Sequence, residues 1–135
     1  VTVDIGQALK ARLTGYAGLS ALIGSRVYPL RLPQGATLPA VTYQRISNLY
    51  LSSHDNAGGT ARPRFQFNCW GLTYASAQAV NIQLRAALNG YKGTVTVGLE
   101  TLRIQGALIA DEREDADPDS GLWWISADYF IWYEL

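Results

Sequence analysis

The sequence predicts an α+β domain. Its antiparallel sheet has four strands or slightly more, with helices packed mainly on one face, in the order α-(α)-β-β-α-β-β. Three observations carry this reading. Residues 73–89 place Ala77, Val80, Leu84, Ala87 and Leu88 at helical spacing. Residues 62–71 alternate Phe65, Phe67 and Cys69 with Arg64, Gln66, Asn68 and Trp70, the period of a strand. The chain of 135 residues is 48% apolar and 16% charged, enough to build one core without cross-links.

The elements follow in order. Thr2 to Gly15 reads as a helix on Ile5, Ala8, Leu9 and Leu13, with Thr2 or Asp4 as its cap. A short helical piece at about Gly18 to Ile23 stops at Gly24. Arg26 to Leu30 is extended because Pro29 lacks a backbone donor, and Arg31 to Pro39 is a loop. Ala40 to Leu51 is a strand. Asn48 to Ala61, rich in Ser, Asn and Gly, is expected to be a mobile hairpin connection. Arg62 to Gly71 is a strand, Thr73 to Asn89 the main helix ended by Gly90, and Thr94 to Val97 a short edge piece. Glu100 to Glu112 and Leu122 to Leu135 are long strands joined by an acidic connection across residues 111–121.

The last strand carries large side chains on both faces. Trp123, Ile125, Ala127, Tyr129, Ile131 and Tyr133 point one way; Trp124, Ser126, Asp128, Phe130 and Trp132 point the other. One face of such a sheet is ordinarily polar. Either the N-terminal helix covers the second face or another protein does.

Charge is balanced in total and divided in sequence. Up to Lys92 nine basic residues face two acidic ones; from Gly93 on, two basic face nine acidic, six of them between Asp111 and Asp119. The zero net charge argues against a nucleic-acid-binding domain. The two halves either neutralise each other within the fold or supply complementary patches to a partner.

Chemistry is sparse. His54, the single histidine, lies beside Ser52, Ser53 and Asp55, but neighbours in one loop cannot converge as a catalytic relay. Cys69 falls on the core face and reads as a small apolar residue. Asp115, Asp117 and Asp119 have the 1, 3, 5 spacing of a calcium loop. Ser120 stands where the turn glycine belongs, however, and Ser126 where the closing glutamate belongs. Gly58-Gly59 lacks the lysine of a phosphate-binding loop. Arg62 and Arg64 lie on the opposite face from Phe65 and Phe67, unlike an RNA-stacking platform. No catalytic residue, metal or cofactor is expected, and no apolar run or signal-peptide pattern suggests a membrane.

Three stretches resemble the tail-completion, or tail-terminator, proteins of long-tailed bacteriophages and prophages. They are RVYPLRLPQGATLPAVTYQRIS (Arg26–Ser47), ARPRFQFNCW (Ala61–Trp70) with Tyr74 and the following helix, and GLWWISADYFIWY (Gly121–Tyr133). With the opening helix they span about Ile5 to Glu134. The resemblance implies a non-enzymatic virion protein at the tail–neck junction, assembled in the host cytoplasm. Such a protein forms a ring, typically hexameric, that caps the tail tube, ends its polymerisation and joins tail to head. Its partners would be copies of itself, the tail tube protein and a neck or stopper protein, with DNA passing through without specific binding. A stopper or head-side adaptor is the nearest alternative, a nucleic-acid-binding module a more distant one.

A head-to-tail ring needs two complementary patches on each subunit. The expected basic side is Arg45, Arg62 and Arg64. The expected acidic side is Asp111, Glu112, Glu114, Asp115, Asp117 and Asp119. Trp124, Phe130 and Trp132 are the expected aromatic contacts.

Overall fold

Asp4 starts the first helix in the computed structural model, which describes residues 4–53 and 56–135. Its carboxylate accepts from the Gln7 backbone N–H at 3.3 Å, supplying one of the partners a helix start lacks. Helix α1 (Ile5–Thr14) ends at Gly15, and α2 (Ala17–Ile23) ends at Gly24. Helix α3 (Tyr74–Leu88) is capped by Thr73, whose hydroxyl accepts from the Ser76 N–H at 3.1 Å. The chain leaves α3 through Gly90, at φ +80°, a left-handed conformation that favours glycine. Thr2, the other candidate cap, lies outside the described residues.

Among the described residues six strands form one mixed sheet. They are β1 (Val27–Pro29), β2 (Ala40–Ser53), β3 (Asn56–Gly71), β4 (Gly93–Val97), β5 (Glu100–Asp117) and β6 (Leu122–Glu134). Their spatial order is β1-β2-β3-β6-β5-β4, with β1 parallel to β2 and every other pair antiparallel. The α+β class therefore stands, while the expected antiparallel sheet of four strands or slightly more is corrected to a mixed sheet of six among the described residues, and the expected order to α-α-β-β-β-α-β-β-β. The segment around Tyr28 joins as a parallel edge strand, with Val27 opposite Val41, because residues 30–39 carry the chain back before β2 begins.

Two connections are also corrected. The expected mobile stretch at 48–61 is built largely of strand: β2 continues to Ser53 and β3 starts at Asn56, with Leu51 opposite Thr60 and Ser52 opposite Gly59. His54 and Asp55 lie outside the described residues. The acidic stretch is likewise mostly strand. β5 runs to Asp117 against β6, leaving a turn at 118–121 in which Gly121 has φ +73°.

All three helices of the described residues pack on one face, here called the inner face. Ile5, Ala8, Leu9 and Leu13 of α1, Leu19 and Ile23 of α2, and Val80, Leu84 and Leu88 of α3 share one buried cluster with Phe65, Phe67, Cys69, Ala127, Tyr129 and Ile131. Burying each large aliphatic side chain there contributes about 1.5–3 kcal/mol. Phe67 packs edge-on against Tyr129 with centroids 5.7 Å apart, and flatter against Phe65 at 6.1 Å. The N-terminal helix thus lies under the inner face with the others and does not cover the second one.

Candidate assembly surface

The outer face is made by the alternate residues of β2, β3, β6 and β5. The alternation expected for the last strand is present: Ile125, Ala127, Tyr129, Ile131 and Tyr133 are buried inward, while Trp124, Phe130 and Trp132 remain half-buried on the other side. Trp123 belongs by alternation to the inner face, yet it is 39% exposed at the end of the sheet, edge-on to Tyr74 at 6.0 Å.

Two aromatic groups flank a polar centre on this face. At one end Trp70 and Trp124, directly opposite across β3 and β6, have centroids 4.9 Å apart, and the Trp70 indole donates to the Thr42 hydroxyl at 2.9 Å. At the other end Phe130 and Trp132 lie 6.3 Å apart. Arg62 and Arg64 lie over the Phe130 ring at 4.8 and 5.5 Å, a cation–π arrangement. Trp132 also borders a shallow cavity of about 500 Å3 with Lys92, Gly106 and Leu108.

Between them sits Asp128, buried on the outer face by its neighbours. It accepts from Arg64 Nε at 3.1 Å and Nη2 at 2.7 Å, and from Arg113 Nη2 at 3.3 Å. Arg113 also donates to Asp111 at 2.5 Å. The adjacent Ser126 hydroxyl donates to the Asn68 side-chain oxygen. A buried carboxylate needs such partners, since an unpaired charge there is strongly unfavourable.

The acidic residues do not make one patch. The register of β5 against β6 slips at Ala110, between Ile109 opposite Tyr129 and Asp111 opposite Asp128. Beyond that bulge Asp111, Arg113, Asp115 and Asp117 share the outer side, while Glu112 and Glu114 turn inward to α3. Glu112 accepts from Asn81 at 3.1 Å and lies 3.7 Å from Arg85. Glu114 accepts from Tyr74 at 2.5 Å, and this bond to a carboxylate raises the Tyr74 phenol above its ordinary range. Asp117 and Asp119 form the turn: Ser120 Oγ and the Asp119 N–H donate to Asp117 at 2.8 and 3.1 Å.

The arginines are likewise divided. Arg45 is 3.3 Å from Asp4 at the start of α1 and packs on the inner side near Phe65, away from Arg62 and Arg64. Much of the charge separated in sequence is therefore joined within the fold, through Arg64–Asp128 and Arg85–Glu112. Arg113, which sequence reasoning passed over, is central to this surface. Only the pairing of β5 with β6 reveals it, because it follows the bulge.

Elsewhere the chemistry is quiet. Burial pushes the Cys69 thiol well above its ordinary range, with the Glu112 carboxylate adding to the effect, so it stays protonated. Among the described residues no group of three or more His, Cys, Asp and Glu gathers as a metal site, and no helix is long and apolar enough to cross a membrane.

The fold packs its helices on one face and displays aromatic and arginine side chains on the other. A family model, that of the tail completion protein gp17, matches residues 7–134. The chain belongs to this family of structural components of the phage virion tail. Among solved structures it is similar to a chain in the virion of a native gene transfer agent particle. The TM-score is 0.70 at 20% identity, covering 97% of this chain and 95% of that one, a likeness of fold. None of the curated proteins matches.

Proposed function

We propose that this chain caps the phage tail tube, ends its polymerisation and forms the ring, of six copies, that joins the tail to the head or neck. Membership of the tail completion family over 7–134 carries the reading. The outer face supports it. Phe130, Trp132 and Trp124 are partly exposed with no helix of the described chain above them, and aromatic and arginine side chains dominate binding hot spots. Neighbouring copies, the tail tube protein and a neck or stopper protein are its partners, and DNA passes through the ring without specific contacts.

The residues proposed to meet partners are Arg62, Asp115, Asp119, Trp124, Phe130 and Trp132. Arg45, Arg64, Asp111, Glu112, Glu114 and Asp117 hold the subunit together through the contacts above and act on assembly by positioning those six.

The test is a particle preparation lacking the chain, examined by electron microscopy. Tubes of uncontrolled length without heads are expected, with both defects restored by the added protein. Tubes of proper length that fail only to attach would make the chain a stopper or adaptor instead. Normal attached tails would overturn the proposal.

A further inference from the structure

The two edges of the sheet are guarded at one end and open at the other. At the guarded end β1 stops at Pro29, which has no backbone donor, and the bare edge of β5 carries Asp111, Asp115 and Asp117. Asp111 and Asp115 also accept from backbone donors there, from the N–H of Glu112 at 2.9 Å and of Ala116 at 2.8 Å. Charges and proline at an edge discourage another strand from pairing.

The open end is different. β1 covers β2 only at Val41 to Tyr43, so beyond the bulge at Ile46 the outer edge of β2 has no strand beside it among the described residues. That stretch displays Ile46, Leu49, Tyr50 and Leu51 at 47, 43, 64 and 45% exposure, with no charged side chain among residues 46–51. The opposite edge at this end is β4, Gly-Thr-Val-Thr-Val, also uncharged and unpaired on its outer side among the described residues.

These two edges lie at one level of the sheet. Leu51 is opposite Thr60 and Thr60 opposite Glu134; Glu134 lies 3.8 Å from Arg103, and Arg103 is opposite Thr94. Leu49 and Leu51 share the outer face with Thr94 and Thr96, because Val95 and Leu102 point inward.

We infer that the open β2 edge of one copy pairs with the β4 edge of the next copy of this chain, continuing the sheet from subunit to subunit. The inference rests on the ring reading and names the surface that builds it. A head-to-tail contact needs two different, matching patches, and these stand on opposite edges at the same height. Strands β2 and β4 run in the same direction, since β2 is antiparallel to β3, β3 to β6, β6 to β5 and β5 to β4. A rotation that keeps the subunit upright therefore makes the new pairing parallel.

Cysteine cross-linking on purified tails tests this. One set of tails is assembled from an equal mixture of Leu51→Cys and Thr94→Cys chains, with Leu49→Cys and Thr96→Cys as register-shifted alternatives. The wild type is the blank, because its single Cys69 is fully buried. Oxidation is expected to give dimers in at least one mixed set and none in tails carrying any single variant. A Leu51→Cys/Thr94→Cys chain, or its shifted equivalent, is expected to give a ladder reaching the full copy number. Dimers from single variants would mean like edges meeting and overturn the inference. Tails shown by native mass spectrometry to hold several copies, yet unlinked in every mixture, would overturn it while leaving the ring intact. A single copy per tail would overturn the ring and the inference with it.

Discussion

Asp111 and Asp128 stand directly opposite each other across β5 and β6, two carboxylates in a position where like charges repel. Arg113 resolves the conflict by donating to both, at 2.5 and 3.3 Å, and Arg64 adds two bonds to Asp128. Asp128 holds the Arg113 guanidinium above its ordinary range, so on the basic side this contribution is lost only as pH rises through that raised value. Replacing Asp128 by Asn leaves two arginines short of a buried anion and is expected to cost about 2–3 kcal/mol. Arg113→Ala, at a half-exposed position, should cost nearer 1 kcal/mol, and less in high salt. Urea denaturation at two salt concentrations measures both; equal losses for the two variants would refute this division of roles.

The turn after β5 gives a pH signature. Bonds from Ser120 Oγ and from the Asp119 N–H favour the charged form of Asp117 and hold its carboxyl below the ordinary 3.8. A depressed folded value means the turn's stabilisation is present above the unfolded value and disappears as pH falls through the folded one. The window therefore lies below about pH 4. Carbon-detected NMR titration should place the Asp117 midpoint below that of a free aspartate, and Ser120→Ala should move it upward. An unmoved midpoint would show that Ser120 does not hold the carboxylate.

Tyr129 offers a test of the core. Its ring is fully buried against Phe67, and its hydroxyl has no hydrogen-bond partner among the described residues. Burial, the largest cause, pushes its phenol above the ordinary range, so the group stays neutral. Tyr129→Phe keeps the ring and removes a polar atom that packing has left unpaired. Stability is expected to stay the same or rise by up to about 1 kcal/mol. A loss above about 1 kcal/mol in thermal denaturation would mean the hydroxyl has a partner in solution.

The alternation of Phe65, Phe67 and Cys69 makes the inner face legible in the sequence, because strand period and burial coincide there. The spacing of Val80, Leu84 and Leu88 does the same for α3. The bulges are not legible. Nothing local to Ile46 or Ala110 says that the partner strand skips a residue, yet each skip moves every later side chain to the other face. The run from Asp111 to Asp119 reads as one patch because its composition is that of a connection; paired with β6 as far as Asp117 it is strand, alternation divides it between the two faces, and the bulge decides which residues take which face. The Ser/Asn/Gly stretch misleads differently, since β2 and β3 pair along it and make strand where its composition reads as a connection, as Ser52 opposite Gly59 illustrates.

The outer face should separate folding from assembly. Phe130 and Trp132 are half-buried and pack against each other, with Arg62 and Arg64 over the Phe130 ring, so truncation to Ala removes part of a contact already shared with water. Each is expected to cost the fold about 1–2 kcal/mol, leaving a cooperative transition. Phe67→Ala, by contrast, opens a cavity among Tyr43, Phe65 and Tyr129 and should cost about 3–5 kcal/mol. If the outer aromatics are contacts, Phe130→Ala and Trp132→Ala chains remain folded by circular dichroism yet fail to restore tail length and head joining to particles lacking the wild type. Full restoration by a chain carrying both substitutions would show that this face meets no partner.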